Sequence, residues 1–264
     1  MNSCLKYKNS IISYKIFGNE NEKAIILLHG YLESNEIWND FSSKLSNKFK
    51  VICIDIPGHG LSEIINENQT FEDIADLIYF ISDTLALKKT FLIGHSMGGY
   101  ATLEFAKKYP EKLKGFCLFH STPFADNEEK KLARNKEIQL VKQGKKELIY
   151  SVNIPKAFAD INLLRLKDNV KTAINIAKNT SNLGIIIALN AMKSRNDMSD
   201  FLSNTELPFL LILGRLDNYI SYENVGINIK LPKNGKLECL ENSGHLGFIE
   251  EKEESLKIIS QFIN

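Results

Sequence analysis

Cysteine is scarce in this chain of 264 residues: Cys4, Cys53, Cys117 and Cys239 are the only four, and none belongs to a C-x-x-C pair. That spacing points to no metal site and no thiol redox motif, and it provides no disulfide framework. Excess charge is scarce too, since 33 Lys and Arg stand against 32 Asp and Glu for a net charge of +1. No electrostatic case therefore exists for a nucleic acid or membrane partner. No window approaches the roughly 18 apolar residues of a membrane span, and the N-terminus lacks the apolar core of a secretory signal. Internal repeats, low-complexity tracts and long Gly/Ser/Pro linkers are absent as well. What remains is an ordinary globular composition, 44% hydrophobic and 25% charged, in a chain long enough to bury a sizeable core. Cys53 and Cys117 sit inside apolar runs and read as small buried hydrophobes, which fits a reducing, cytoplasmic location. Nothing in the sequence sets an oligomeric state.

Short apolar runs at residues 24–28, 51–56, 90–93, 113–119 and 208–213 read as interior parallel strands, because continuous rather than alternating hydrophobicity is what a strand covered on both faces needs. A shorter candidate covers residues 236–240, and residues 11–17 read as part of an antiparallel pair at the sheet edge. Helical periodicity fills the intervals; at residues 71–87 it is preceded by a capping-box pattern, Thr70 with Asp73. Strand–helix alternation predicts an α/β fold with a mostly parallel, twisted sheet of about eight strands flanked by helices. The rhythm breaks between residues 122 and 204, where helical patterns run without a convincing strand. The expected organisation is one core domain from residues 1–121 and 205–264, with residues 122–204 inserted as a helical lid.

Residues 94–99 read Gly-His-Ser-Met-Gly-Gly directly after a β-prone run, and a helix-forming stretch follows. Gly-x-Ser-x-Gly between a strand and a helix presents a serine oxygen at a sharp bend, where a base and oxyanion donors can reach it. Gly94 and Gly98 supply the room that such a bend requires. A serine nucleophile needs a histidine base, and that base needs an orienting acid. Asp217 lies just past the apolar run at 209–213, and His245 lies in Ser243-Gly244-His245-Leu246-Gly247 after the strand candidate at 236–240. The candidate catalytic set, in chain order, is Ser96, Asp217, His245.

Those motifs, together with Leu28-His29-Gly30-Tyr31 and Asp55-Ile56-Pro57-Gly58-His59-Gly60-Leu61-Ser62, make the chain resemble the α/β-hydrolase fold superfamily, and within it a serine carboxylesterase-like member with a helical cap. The resemblance implies a hydrolase with a Ser-Asp-His triad and an oxyanion hole formed by the backbone N–H groups of Tyr31 and Met97. It implies supporting roles for His29, Gly30, Gly94, His95 and Gly98. No cofactor and no metal are expected, and the partner is a small-molecule ester.

Several side chains carry competing readings. His95 is expected to pack beneath the turn or to bond a neighbouring loop rather than act as base, His29 to orient the oxyanion loop, and His59 to serve its turn. His120 is weighed as part of the pocket wall. Asp126 competes with Asp217 as the acid, though it stands farther from its strand end beside a charge run. Tyr31, Met97, Phe124 and Trp38 are candidate pocket residues. Apolar side chains of the lid, namely Phe158, Ile161, Leu163, Leu164, Ile185, Ile186, Ile187 and Leu189, predict a greasy inner face suited to acyl or aryl esters. Ser96 argues against dehalogenase and epoxide-hydrolase chemistry, which needs aspartate there, and the acidic lid residues are read as solvated faces rather than the amine site of an iminopeptidase. The rival enzyme reading is carbon–carbon bond hydrolysis or a menaquinone-pathway-like lyase, whose sites anchor carboxylates with arginine; Arg134, Arg165, Arg195 and Arg215 are available. A noncatalytic ligand-binding protein of the same fold is the reading outside enzymes.

Overall fold

The computed structural model describes residues 2–264. Eight strands form one open sheet: β1 (Asn2–Tyr7), β2 (Ser10–Phe17), β3 (Ala24–Leu28), β4 (Lys50–Ile54), β5 (Thr90–His95), β6 (Leu113–Phe119), β7 (Phe209–Gly214) and β8 (Gly235–Leu240). Their spatial order is β1-β2-β4-β3-β5-β6-β7-β8. β1 and β2 pair antiparallel, as do β2 and β4, and every other pairing is parallel. Every residue of β3, β5 and β7 is buried, as expected of strands covered on both faces. The edge strand β8 instead alternates half-buried with exposed positions.

Helices α1 (Asn39–Leu45), α2 (Phe71–Thr84) and α3 (Met97–Lys108) belong to the first half of the chain. Then α4 (Glu128–Lys142), α5 (Lys146–Ala157), α6 (Lys167–Asn179), α7 (Asn182–Ser194) and α8 (Ser199–Asn204) follow one another between β6 and β7 with no strand among them. The last three are α9 (Tyr222–Asn228), α10 (Gly247–Glu250) and α11 (Lys252–Ile263). Thr70 and Asp73 do form a reciprocal capping box at the start of α2. That helix stops three residues short of the expected Leu87, because Ala86 turns to φ +51°. β4 likewise ends at Ile54 rather than at residue 56, and there Asp55 turns its carboxylate to the backbone N–H groups of Asn35 (2.6 Å) and Leu61 (3.1 Å).

The order of strand addition reverses in the middle of the sheet: β4 lies on one side of β3 and β5 on the other, all three running parallel. In open parallel sheets ligands bind beyond the carboxyl ends of the strands at such a switch point. Here those ends lead directly into His29-Gly30-Tyr31 and into Ser96.

Candidate active site

Ser96 sits between the last residue of β5 and the first of α3 with φ +48° and ψ −114°. A left-handed φ is costly for a residue with a Cβ, so the surrounding packing must hold it. Gly98 provides part of that packing, since a Cβ there would stand 2.7 Å from the carbonyl oxygens of both Leu28 and His29. At Gly94 a Cβ would overlap Thr102 Oγ1 and the Gly98 carbonyl. The turn is further fixed by Ser96 N–H donating to the Phe119 carbonyl (3.0 Å) and by Ser121 Oγ donating to the Ser96 carbonyl (2.7 Å). Met97 is the first residue of α3, so its N–H has no acceptor within the helix.

His245 and Asp217 meet across the carboxyl edge, with His245 Nδ1 2.7 Å from Asp217 Oδ2. Asp217 Oδ1 accepts the N–H groups of Tyr219 (2.7 Å) and Ile220 (3.0 Å). Burial alone would raise the Asp217 pKa, but the His245 charge and hydrogen bonds from His120 and His245 hold it well below the carboxylate range. Burial would lower the pKa of His245, and the Asp217 carboxylate overcomes this and raises it. Asp126 is elsewhere: its carboxylate is shared by Arg134 and Arg195 (2.7 Å). That arrangement excludes it from partnering His245.

The neighbouring histidines divide as their surroundings dictate. His95 places Nδ1 3.0 Å from Glu33 Oε2 and Nε2 2.8 Å from the His245 carbonyl, so it ties the serine turn to the His245 loop. His29 donates from Nδ1 to the Gly30 carbonyl (2.8 Å) and accepts the Ile56 N–H at Nε2 (2.9 Å). His59 packs its ring 5.3 Å from that of His29, with burial pushing its pKa down to about 3. His120 does not reach the cavity wall: its side chain is fully buried, 3.3 Å from Asp217 Oδ2.

Two glutamates that the sequence reading passed over prove central. Glu33 Oε2 accepts the Gly30 N–H at 2.6 Å while facing His95, which joins the loop after β3 to the serine turn. Glu250 takes four donors: Gly244 N–H (2.9 Å) and Leu246 N–H (3.2 Å) on one oxygen, Ala159 N–H and Asn162 Nδ2 (both 2.8 Å) on the other. Its carboxylate therefore brackets His245 on both sides and anchors that loop to the helical segment. Buried carboxylates without such donors would be costly, and the only hint in the sequence is that Glu33 stands three residues after Gly30 and Glu250 three after Gly247.

Ser96 and His245 line a common cavity of about 230 Å³. Its walls include Leu32, Tyr100, Ile154, Ala157, Met192 and Ile220, and among its polar lining are Lys130, Arg134, Glu137 and Asn153. Tyr31 Oη and Asn153 Nδ2 each donate to Glu137 at 3.0 Å, and Tyr219 Oη donates to the Asn153 carbonyl at 3.0 Å. The lid's apolar contribution to this cavity comes from residues other than those expected. None of the eight named apolar residues lines the cavity: Phe158, Ile185, Ile187 and Leu189 are core, while Ile161 and Leu164 are 65% and 85% exposed. The helical segment turns a mixed face toward Ser96, apolar at Ala133, Ile154, Ala157, Ala173 and Met192 and polar at Lys130, Arg134, Glu137 and Asn153. Met97, Trp38 and Phe124 are likewise not in the wall; Met97 is buried in the core, and the Trp38 ring packs 4.1 Å from that of Phe248. Of the arginines, only Arg134 reaches the cavity; Arg165 binds the Glu250 carbonyl (3.0 Å) and Arg215 pairs with Glu241 (3.0 Å).

Among the described residues one cluster has metal-ligand spacing, His120, Asp217 and His245, with ligand atoms within 4.8 Å of one another. Those atoms are engaged with each other and with backbone N–H groups, which a cation would have to displace.

Comparison with known proteins agrees with this fold. A family profile described as alpha/beta hydrolase fold matches residues 23–252. A Bacillus subtilis protein, named as a candidate 2-succinyl-6-hydroxy-2,4-cyclohexadiene-1-carboxylate synthase, is 27% identical over 93% of this chain and 92% of its own length. The pimeloyl-[acyl-carrier protein] methyl ester esterase of Wigglesworthia glossinidia brevipalpis is 29% identical over 90% of this chain and 93% of its own. A solved thermophilic esterase from Thermogutta terrifontis superposes with a TM-score of 0.92 at 23% identity, covering 100% of this chain and 98% of that one.

Proposed function

Because the chain belongs to the alpha/beta hydrolase fold family, we propose that it is a serine hydrolase cleaving carboxylic esters of small to medium acyl or aryl groups through an acyl-enzyme on Ser96. The observation that carries this reading is the buried His245–Asp217 contact of 2.7 Å opening onto the cavity that also holds Ser96. In this mechanism His245 takes the Ser96 proton as the oxygen attacks the ester carbonyl. The backbone N–H groups of Tyr31 and Met97 hold the tetrahedral oxyanion, and each such donor contributes on the order of 3 kcal/mol to the rate. Asp217 keeps His245 in the tautomer that presents a bare Nε2 to serine. The alcohol leaves with the proton from His245, and a water activated by the same imidazole hydrolyses the acyl-enzyme.

Residues 122–204 act in this reading as a cap over the core built from 1–121 and 205–264. The links Tyr31–Glu137 and Glu250–Ala159 are where the two parts meet: a loop of the core on α4 of the cap, and α10 of the core on the connection after α5. A site of action in the cytoplasm is supported by four unpaired cysteines. The test is turnover of p-nitrophenyl esters from acetate to decanoate by wild type and Ser96→Ala, with fluorophosphonate labelling alongside. The cavity volume favours the short end of the series. Absence of both turnover and label in folded protein refutes the proposal and leaves a ligand-binding role.

A second reading has one observation in its favour: Lys130 and Arg134 line the cavity, as a carboxylate-bearing substrate of carbon–carbon bond chemistry requires. Fluorophosphonate labelling of Ser96 without ester turnover, followed by cleavage of a β-diketone acid, would move the assignment there.

A further inference from the structure

His120 is buried, histidine-specific in its contacts, and unused by the mechanism above. It follows β6 in a left-handed conformation, φ +48°, with its backbone N–H donating to the Ile212 carbonyl at 2.8 Å. Its ring stacks on Phe119 with centroids 5.0 Å apart and planes at 19°. Three polar groups surround the two ring nitrogens. Gly247 N–H points at Nε2 (3.1 Å), Gly214 N–H points at Nδ1 (3.1 Å), and Asp217 Oδ2 also faces Nδ1 (3.3 Å).

A neutral imidazole has one N–H and one lone pair, so these contacts cannot all be satisfied together. With the proton on Nδ1, the ring donates to the Asp217 carboxylate and accepts Gly247 N–H, and only Gly214 N–H is disappointed. With the proton on Nε2, Gly214 is satisfied, but two N–H groups confront each other at Gly247 and a lone pair confronts an anion at Asp217. The anion decides the balance, because hydrogen bonds to a charged group are roughly twice as strong as neutral ones. Burial pushes the ring pKa down to about 4, so the neutral form prevails near neutral pH.

We propose that His120 is a positioning residue, a second histidine whose Nδ1–H donates to Asp217 Oδ2 and thereby limits how strongly that carboxylate raises the basicity of His245. This rests on the reading of Ser96, His245 and Asp217 as the catalytic set. Asp217 then holds four N–H donors, two from the backbone on Oδ1 and two from imidazoles on Oδ2. Its carboxylate can neither rotate nor favour a second orientation. The titratable groups facing His245 are Asp217, His120, His95, Glu33, Glu250 and Tyr219. Of these, His120 shares with His245 the same oxygen of the triad acid.

Two substitutions separate the ring's two ends. His120→Asn keeps a donor near the Nδ1 position and loses the acceptor for Gly247, whereas His120→Gln keeps a group near Nε2 and loses the donor to Asp217. Nitrogen-15 histidine NMR of the wild-type protein reads the tautomer, and the His245 titration is followed in all three proteins beside the pH profile of ester kcat/KM. The expected result is Nδ1-protonated His120 in wild type. In His120→Gln the His245 titration and the acid limb of kcat/KM move to higher pH, with the alkaline plateau reduced about tenfold or less. His120→Asn keeps the wild-type titration. An Nε2-protonated His120, an unmoved titration in His120→Gln, or equal shifts in both variants would overturn the proposal. The NMR readouts need no substrate, so failure of the ester assignment would show separately, as wild-type protein without turnover.

Discussion

Replacing Glu250 by Gln removes one charge and one acceptor from a carboxylate that is 3% exposed and takes four donors. A glutamine amide has a single oxygen, so it can serve either the Gly244 and Leu246 pair or the Ala159 and Asn162 pair. Whichever it serves, its NH₂ group then confronts the other two N–H donors. Flipping Asn162 is no remedy, because its Nδ2 also donates to the Asn242 carbonyl (2.7 Å) and its Oδ1 accepts from Arg165 (2.9 Å). Two hydrogen bonds to a charged acceptor are lost, at about 1.5–3 kcal/mol each, which sets the destabilisation at about 3–6 kcal/mol. For a chain of this size that corresponds to a fall in melting temperature of about 10 °C. Urea unfolding is the assay, with an unchanged m value as the check that the cost lies in the native state. Ester turnover should fall as well, because the two backbone N–H groups flanking His245 are among those released. A loss below about 1 kcal/mol with wild-type kcat would refute the account of Glu250 as the clamp of the His245 loop.

Asp126→Asn leaves two half-buried arginines sharing a neutral, buried partner and should cost about 3 kcal/mol in urea unfolding. Its folded fraction should still turn over esters, whereas Asp217→Asn should lower kcat by on the order of 10⁴; the reverse ranking would reassign the acid. Stability should also fall between pH 6.5 and about pH 4. Burial lowers the pKa of His29, His59 to about 3 and His120 to about 4, so in that window the unfolded state binds more protons than the native one. The last two together set a slope of about 2–3 kcal/mol per pH unit at most, and equal unfolding free energies at pH 5 and pH 6.5 would refute it.

The strands of the sheet's interior, the serine turn and the order of the three candidate catalytic residues were legible in the sequence because each is a local signal. A strand covered on both faces must be continuously apolar, as residues 24–28 and 209–213 are, and a bend with no space for side chains must be flanked by glycine, as Ser96 is. The helical interval between β6 and β7 was legible for the same reason, through periodicity and the absence of strand patterns. The lining of the cavity was not. α4 buries Ile138 and Val141 and turns Arg134 and Glu137 toward Ser96, and no hydropathy pattern announces which polar residues of a helix face solvent and which face a cavity. Nor could local pattern show that Glu33 joins Gly30 to His95, that Glu250 brackets His245, or that His120 shares an oxygen of Asp217. These contacts join distant stretches of chain at one edge of the sheet. Hydrophobic periodicity is a property of neighbours along the chain, but the partners of a buried polar group are chosen by the fold, because leaving it unpartnered costs free energy wherever its neighbours in sequence lie.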